Sequence, residues 1–202
     1  MRAVCNLLCF FSLSAVLGAA HKATASLPFE GSPGIFLEEK LFCFPAFPGA
    51  FNPSIFRVEE GFLVSFRYVP DPQSPYCNCV GLFMINEDLE VVVSPYLLDL
   101  RGNSSVPSQA EDARLFSYRG EIWILYNDNA KKRVTHYTQP RDMFLAKLVK
   151  KEGKYQVDCV QELSSEDHEP YNKQEKNWAP FVWQEALFVA YTLSPHEVLY
   201  VR

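Results

Sequence analysis

The chain has 202 residues, enough for one sizeable core or two small ones, and its 48% hydrophobic and 21% charged residues are those of a globular protein. A formal charge of −5, with no dense stripe of Lys and Arg, argues against a nucleic-acid binder, which needs a cationic footprint for phosphates.

In chain order, the first element is the N-terminal run MRAVCNLLCFFSLSAVLGAAHKATAS. Arg2 gives a positive start, residues 3–20 are apolar, and Ala23-Thr24-Ala25 offers small residues suited to cleavage. This is the form of a signal peptide over residues 1–25, and it predicts a secreted or periplasmic protein. The competing reading is a membrane anchor formed by the same segment left uncleaved. Cleavage removes Cys5 and Cys9 and leaves Cys43, Cys77, Cys79 and Cys159, either with one disulfide among them or as free thiols. Cys77-Asn78-Cys79 lacks nearby His ligands, so no metal site is expected. Residues 26–50 read as a lead-in to a domain over 51–202.

From residue 50 onward the chain is a series of short alternating or β-branched runs broken by polar turns. The predicted strands are 61–68, 80–85, 90–94, 113–117, 121–127, 144–149, 155–160, 180–183, 186–192 and 198–201. Amphipathic helical periodicity is scarce, and 14 prolines interrupt most stretches that offer it. The expected class is all-β.

Three segments align: IFRVEEGFLVSFR from Ile55, LFSYRGEIWILYN from Leu115 and PFVWQEALFVAYT from Pro180. Phe56, Phe116 and Phe181 correspond, as do Phe66, Tyr126 and Tyr191, at spacings of 60 and 65 residues. A repeat of this period marks supersecondary units too small to bury their own faces. A four-stranded antiparallel blade with its connections fits, which predicts a β-propeller. In the same register Asn52, Asp112 and Asn177 are equivalent, each just ahead of the first strand of its hairpin. Rotation about a propeller axis brings such residues to one cavity; the alternative is that Asn and Asp open strands because their side chains bond nearby backbone.

The blocks FNPSI…FLVSFR, EDAR and EKNWAPF resemble, in order and at blade spacing, the N-P, E-D-P-R and K-N-W blocks of the five-bladed β-propeller enzymes acting on β-mannosides. That phosphorylase and hydrolase family shares its clan with β-mannosyltransferases. The resemblance runs from about residue 50 to the C-terminus, with Ala113 where the family has proline. It implies Asp112 as the catalytic acid, Asn52 and Arg67 as sugar contacts, and Arg114, Lys176 and Asn177 as further substrate-binding residues. It also implies a carbohydrate substrate, no cofactor, and inorganic phosphate as co-substrate in the phosphorolytic case.

The chemistry asks for a carboxyl to protonate the leaving oxygen while positive charge develops on the sugar. Phosphorolysis adds a cation cradle for phosphate, for which Arg67, Arg114 and Lys176 are the candidates. Hydrolysis instead needs a second carboxylate about 6.5–9.5 Å away to activate water, from Glu111, Asp128 or Glu175. Each residue also has a plainer reading. Glu111 is a solvated neighbour, Arg114 pairs with Asp112 or Glu111 along the sheet, and two or more of Trp123, Trp178 and Trp183 pack between blades. After a signal peptide the chain suffices for about three blades, where closing five takes about 300 residues. The expected architecture is therefore a partial five-bladed propeller, its ring completed by a homo-oligomer or a second chain. The functional readings are an exported glycan-active enzyme, a non-catalytic glycan-binding or interaction module on the same scaffold, and an inactive truncated remnant.

Overall fold

The computed structural model describes residues 40–74, 77–101, 108–129, 141–163 and 177–202. The leader, Lys176 and Glu175 lie outside them. No helix among the described residues is long and apolar enough to cross a membrane.

Among the described residues, eleven strands form three antiparallel sheets. The first contains β1 (Phe51–Val58), β2 (Gly61–Tyr68), β3 (Cys79–Ile85) and β4 (Val91–Leu97). The second contains β5 (Glu111–Tyr118), β6 (Glu121–Asp128), β7 (Asp142–Lys151) and β8 (Lys154–Leu163). The third contains β9 (Ala179–Trp183), β10 (Ala186–Leu193) and β11 (His196–Val201). Within each sheet the strands neighbour one another in chain order, so every sheet is a meander. The expected all-β class is thus observed, with three strands rather than four in the third sheet among the described residues.

The turns explain why the meanders form. Arg119-Gly120 between β5 and β6 and Glu152-Gly153 between β7 and β8 have φ of 52°, 77°, 52° and 79°. Two successive left-handed residues match the twist of paired strands, and glycine takes the second position without cost. The turn between β9 and β10 uses Gln184 and Glu185 at φ of 48° and 64°, side chains that pay for that conformation. The predicted strand at 90–94 extends further, through Pro95 to Leu97. Proline is tolerated because β4 is an edge strand.

Alternation along each hairpin assigns its two faces. On the first sheet Phe56, Val58 and Leu63 turn toward the second sheet, where they meet Leu115, Ile124 and Tyr126. At the equivalent positions of the second sheet, Phe116, Tyr118 and Trp123 turn toward the third and meet Leu187, Val189 and Tyr191. Each fully buried side chain of this size contributes about 1.5–3 kcal/mol. The remaining face of the first sheet, with Phe62, Val64 and Phe66, is covered by Phe42, Phe44 and Phe47 of the lead-in. β5 lies against β1 and β2, and β9 against β5, so the first strands of successive sheets are neighbours.

One contact in the first sheet depends on a missing side chain. Gly81 is opposite Phe66, and a Cβ there would come within 2.2 Å of the ring. Phe66 is itself held by Phe47 and Phe83, with centroids 5.4 and 6.1 Å away. Gly81→Ala is expected to cost about 1–3 kcal/mol in urea unfolding, as overpacking does. A shift under about 0.5 kcal/mol would mean that the ring swings clear instead.

Candidate functional site

Asn52, Asp112 and Asn177 share more than a register. Their φ values are 54°, 59° and 59°, so all three are left-handed. In β1 and β5 the pairing register also shifts at this point, between Phe51 and Ser54 and between Glu111 and Arg114. A bulge of this kind re-aims a side chain out of strand alternation. Asn and Asp are the non-glycine residues that tolerate left-handed backbone best, which accounts for the residue types. The repeat is therefore one of backbone device as well as of sequence.

The bulges bring Asn52 and Asp112 together. Asn52 Nδ2 donates to Asp112 Oδ1 across the two sheets. Arg67, near the end of β2, donates from Nη1 to the same oxygen at 3.2 Å. Its Nη2 lies 2.5 Å from Glu111 Oε2, and its Nε donates to Asn78 Oδ1 at 2.7 Å. The guanidinium also stacks over Phe51 at 5.0 Å. Leu115 N donates to Ser54 Oγ at 3.0 Å, a second tie between β5 and β1. Both bonds to Asp112 fall on Oδ1, and among the described residues Oδ2 accepts none. The Asp112 side chain keeps 12% of its surface exposed.

Glu111 is not the solvated neighbour that the sequence suggests; it is 1% exposed. Arg141 Nε lies 3.1 Å from its Oε1, and Asn78 Nδ2 donates to its Oε2 at 3.2 Å. Arg141 is equally buried, and its Nη1 donates to the Gln109 carbonyl at 2.7 Å. A carboxylate between two guanidiniums meets the requirement that buried charge be paired. Sequence reasoning missed Arg141, Asn78 and Gln109. All three precede strands by one or two residues and lie outside the hairpins whose repeat marked Asn52, Asp112 and Asn177.

Asp128, another candidate carboxylate, is closed in the same way. Arg101 Nη2 and Ser108 Oγ donate to it at 2.9 and 2.8 Å, and the backbone amides of Gln109 and Asn129 at 2.9 and 2.6 Å. Glu111 and Asp128 are both 1% exposed and ion-paired to arginines, so neither carboxylate faces solvent.

Arg114 shares its face with Phe116, as the sequence indicates, and is half-buried. It pairs with neither Asp112 nor Glu111, because Arg67 and Arg141 have taken those carboxylates. Asn177 is exposed, and no hydrogen bond among the described residues joins it to Asn52 or Asp112. Trp178 beside it is buried between the second and third sheets, edge-on to Tyr191 at 5.3 Å. Trp123 packs against the same core, while Trp183 is exposed. Of the two readings for the cysteines, the structure has thiols: no disulfide joins any of Cys43, Cys77, Cys79 and Cys159. Among the described residues no group of three or more His, Cys, Asp or Glu is placed to hold a metal ion.

The carboxylate cluster also bears on the core behind it. Burial, and next the charge of Asp128, push the Tyr126 phenol well above the ordinary value of 10.0. Burial likewise raises Tyr96. A phenol whose pKa is raised on folding contributes stability that is complete below its unfolded value and lost as pH rises through the folded value. Unfolding free energy is therefore expected to fall above about pH 10, by up to about 1.4 kcal/mol per pH unit for Tyr126 and by less for Tyr96, whose partial exposure lets solvent screen it. Tyr126→Phe, the residue found at the equivalent position 66, is expected to flatten that fall. Unfolding midpoints from pH 8 to 11 check it, and an unchanged slope in the variant would clear Tyr126 of the effect.

No family model matches the chain, and no curated protein matches it with significance.

Proposed function

We propose that this chain forms a partial five-bladed β-propeller, exported through its N-terminal segment, that acts on β-linked mannosides or related glycans. What supports the architecture is the succession of meander sheets whose first strands are neighbours and whose equivalent faces pack one on the next. What supports the site is one observation. Asp112 is gripped through Oδ1 by Asn52 and Arg67, from the neighbouring sheet, and its Oδ2 is left for a ligand.

In this reading Asp112 serves the glycosidic oxygen as proton donor, and Asn52 fixes its rotamer. Arg67 is a positioning residue, since Glu111, Asp112 and Asn78 already occupy its donors. Arg114, together with Lys176 outside the described residues, is the cation that the resemblance assigns to phosphate. Glu111 and Asp128 are both committed to protein partners, which leaves Glu175, outside the described residues, as the carboxylate for hydrolysis; transfer to phosphate or to an acceptor sugar needs no second carboxylate.

A specific observation favours a second reading, a glycan-binding module without turnover. Asp112 receives its two bonds from donors, the pattern of an acceptor, and an acceptor suffices to hold a sugar hydroxyl. Incubating the purified chain with β-mannosyl disaccharides, with and without inorganic phosphate, separates the two. Phosphate-dependent release of a sugar 1-phosphate supports the enzyme, and saturable binding without any product supports the module. Neither binding nor product would remove the glycan site.

A further inference from the structure

The two inter-sheet contacts follow one rule. The face bearing Phe56, Val58 and Leu63 is covered by the next sheet, and so is the face bearing Phe116, Tyr118 and Trp123. The residues at the same register in the third sheet are Phe181, Trp183 and Phe188. There the rule is broken: Phe181 is 41% exposed against 8% for the equivalent Phe116, and Trp183 61% against 9% for the equivalent Val58. Tyr200 and Val198 of β11 extend the same face and are 55% and 42% exposed. Phe188 stacks with Phe181, Trp183 and Tyr200 at centroid distances of 5.7, 6.3 and 5.4 Å, so the patch is a continuous aromatic surface. Scattered exposed apolar residues are ordinary, but a contiguous aromatic sheet face marks an interaction site.

We infer that this face is the docking surface for a fourth antiparallel sheet of the same repeat, an inference that rests on the propeller reading above. The occupant is specified by what covers the two equivalent faces. In both cases it is a meander whose second strand presents alternating aliphatic residues and then an aromatic: Ile122, Ile124 and Tyr126 in one, Leu187, Val189 and Tyr191 in the other. A second copy of this chain does not supply that surface. Its matching face, Phe62, Val64 and Phe66, is already packed under Phe42, Phe44 and Phe47. Phe42 and Phe44 sit 5.6 and 4.9 Å from Phe83, and Phe47 meets Tyr68 at right angles at 5.3 Å. The lead-in thus closes one end of the stack, and among the described residues nothing covers the face of the third sheet at the other.

The test joins an additional copy of residues 108–163 after Arg202 of the full chain and follows Trp183 by acrylamide quenching, taking the difference from a Trp183→Phe background. The unextended chain is expected to be monomeric in sedimentation, to show Trp183 as its most quenchable tryptophan, and to bind an apolar fluorescent dye. The extended chain is expected to lower the Trp183 quenching constant at least threefold and dye emission at least twofold. A second extension carries residues 50–101, whose free face is Phe62, Val64 and Phe66. It guards against a poorly folded first unit and is expected to do the same. If Trp183 stays equally quenchable in both extended chains, the inference is overturned. It is equally overturned if the unextended chain dimerises and Trp183→Glu makes it monomeric, since a second copy then covers the face. The readout involves no sugar. Protection of Trp183 without glycan turnover or binding refutes the glycan site alone, and turnover with Trp183 unprotected refutes the docking surface alone.

Discussion

Glu111→Gln is expected to lower the unfolding free energy by about 3–5 kcal/mol, the cost of stranding a buried charge. The side chain keeps its volume, so no cavity opens and the loss is electrostatic. Arg141, 1% exposed, loses its carboxylate partner, and Arg67 is left with Asp112 and Asn78. At about 2–4 °C per kcal/mol for a chain of this size, the thermal midpoint is expected to drop by about 6–20 °C. The double variant Glu111→Leu with Arg141→Met tests the cause. Replacing a buried pair by apolar residues of similar size is often neutral, so at least half of the loss should return. A Glu111→Gln midpoint within about 2 °C of the parent would mean that the pair is solvated after all. Because Glu111 shares Arg67 with Asp112, the same substitution also loosens the grip on the candidate acid. The two carboxylates therefore divide the work: the buried one anchors Arg67, and Arg67 anchors the exposed one.

The fold was legible wherever a local rule decides it. Period-two alternation located the β5–β6 and β9–β10 hairpins and the second strand of the first, and the 60- and 65-residue spacing paired Asn52 with Asp112 and Asn177 before any geometry was known. Their common left-handed backbone explains why that pairing was visible, since few residue types suit the bulge and the repeat keeps to them. β1 escaped the strand pattern because its bulge breaks the alternation at Asn52 and Pro53. Partners across the sheets were not legible. Nothing in the string EDAR says that Glu111 points inward to Arg141, 30 positions on, while Asp112 beside it faces Asn52. The bulge decides this by inserting one residue, and a one-residue shift sends a side chain to the opposite face. Arg114 was misassigned for a related reason. Local charge suggested pairing along its own strand, whereas Arg67 and Arg141 reach those carboxylates from β2 and from just before β7.

Asp112→Asn is the substitution with the largest expected effect on function, and the fold itself supplies its control. Asparagine already occupies the equivalent positions 52 and 177 at φ of 54° and 59°, so it suits the 59° of residue 112 without new strain. Its carbonyl oxygen still accepts from Asn52 and from Arg67, which keeps Glu111 and Asn78 as well. Stability is therefore expected to stay within about 1 kcal/mol of the parent. Turnover of a β-mannosyl substrate, by contrast, is expected to fall about 10²–10⁴-fold, because an amide cannot deliver the proton that the leaving oxygen needs. Asp112→Ala separates backbone from chemistry: it is expected to lose turnover equally and to cost about 1–2 kcal/mol more, since alanine does not favour left-handed φ. Parent-like turnover in the Asn variant would remove Asp112 as the acid. Unchanged glycan binding with no turnover in parent or variant would establish the binding module instead.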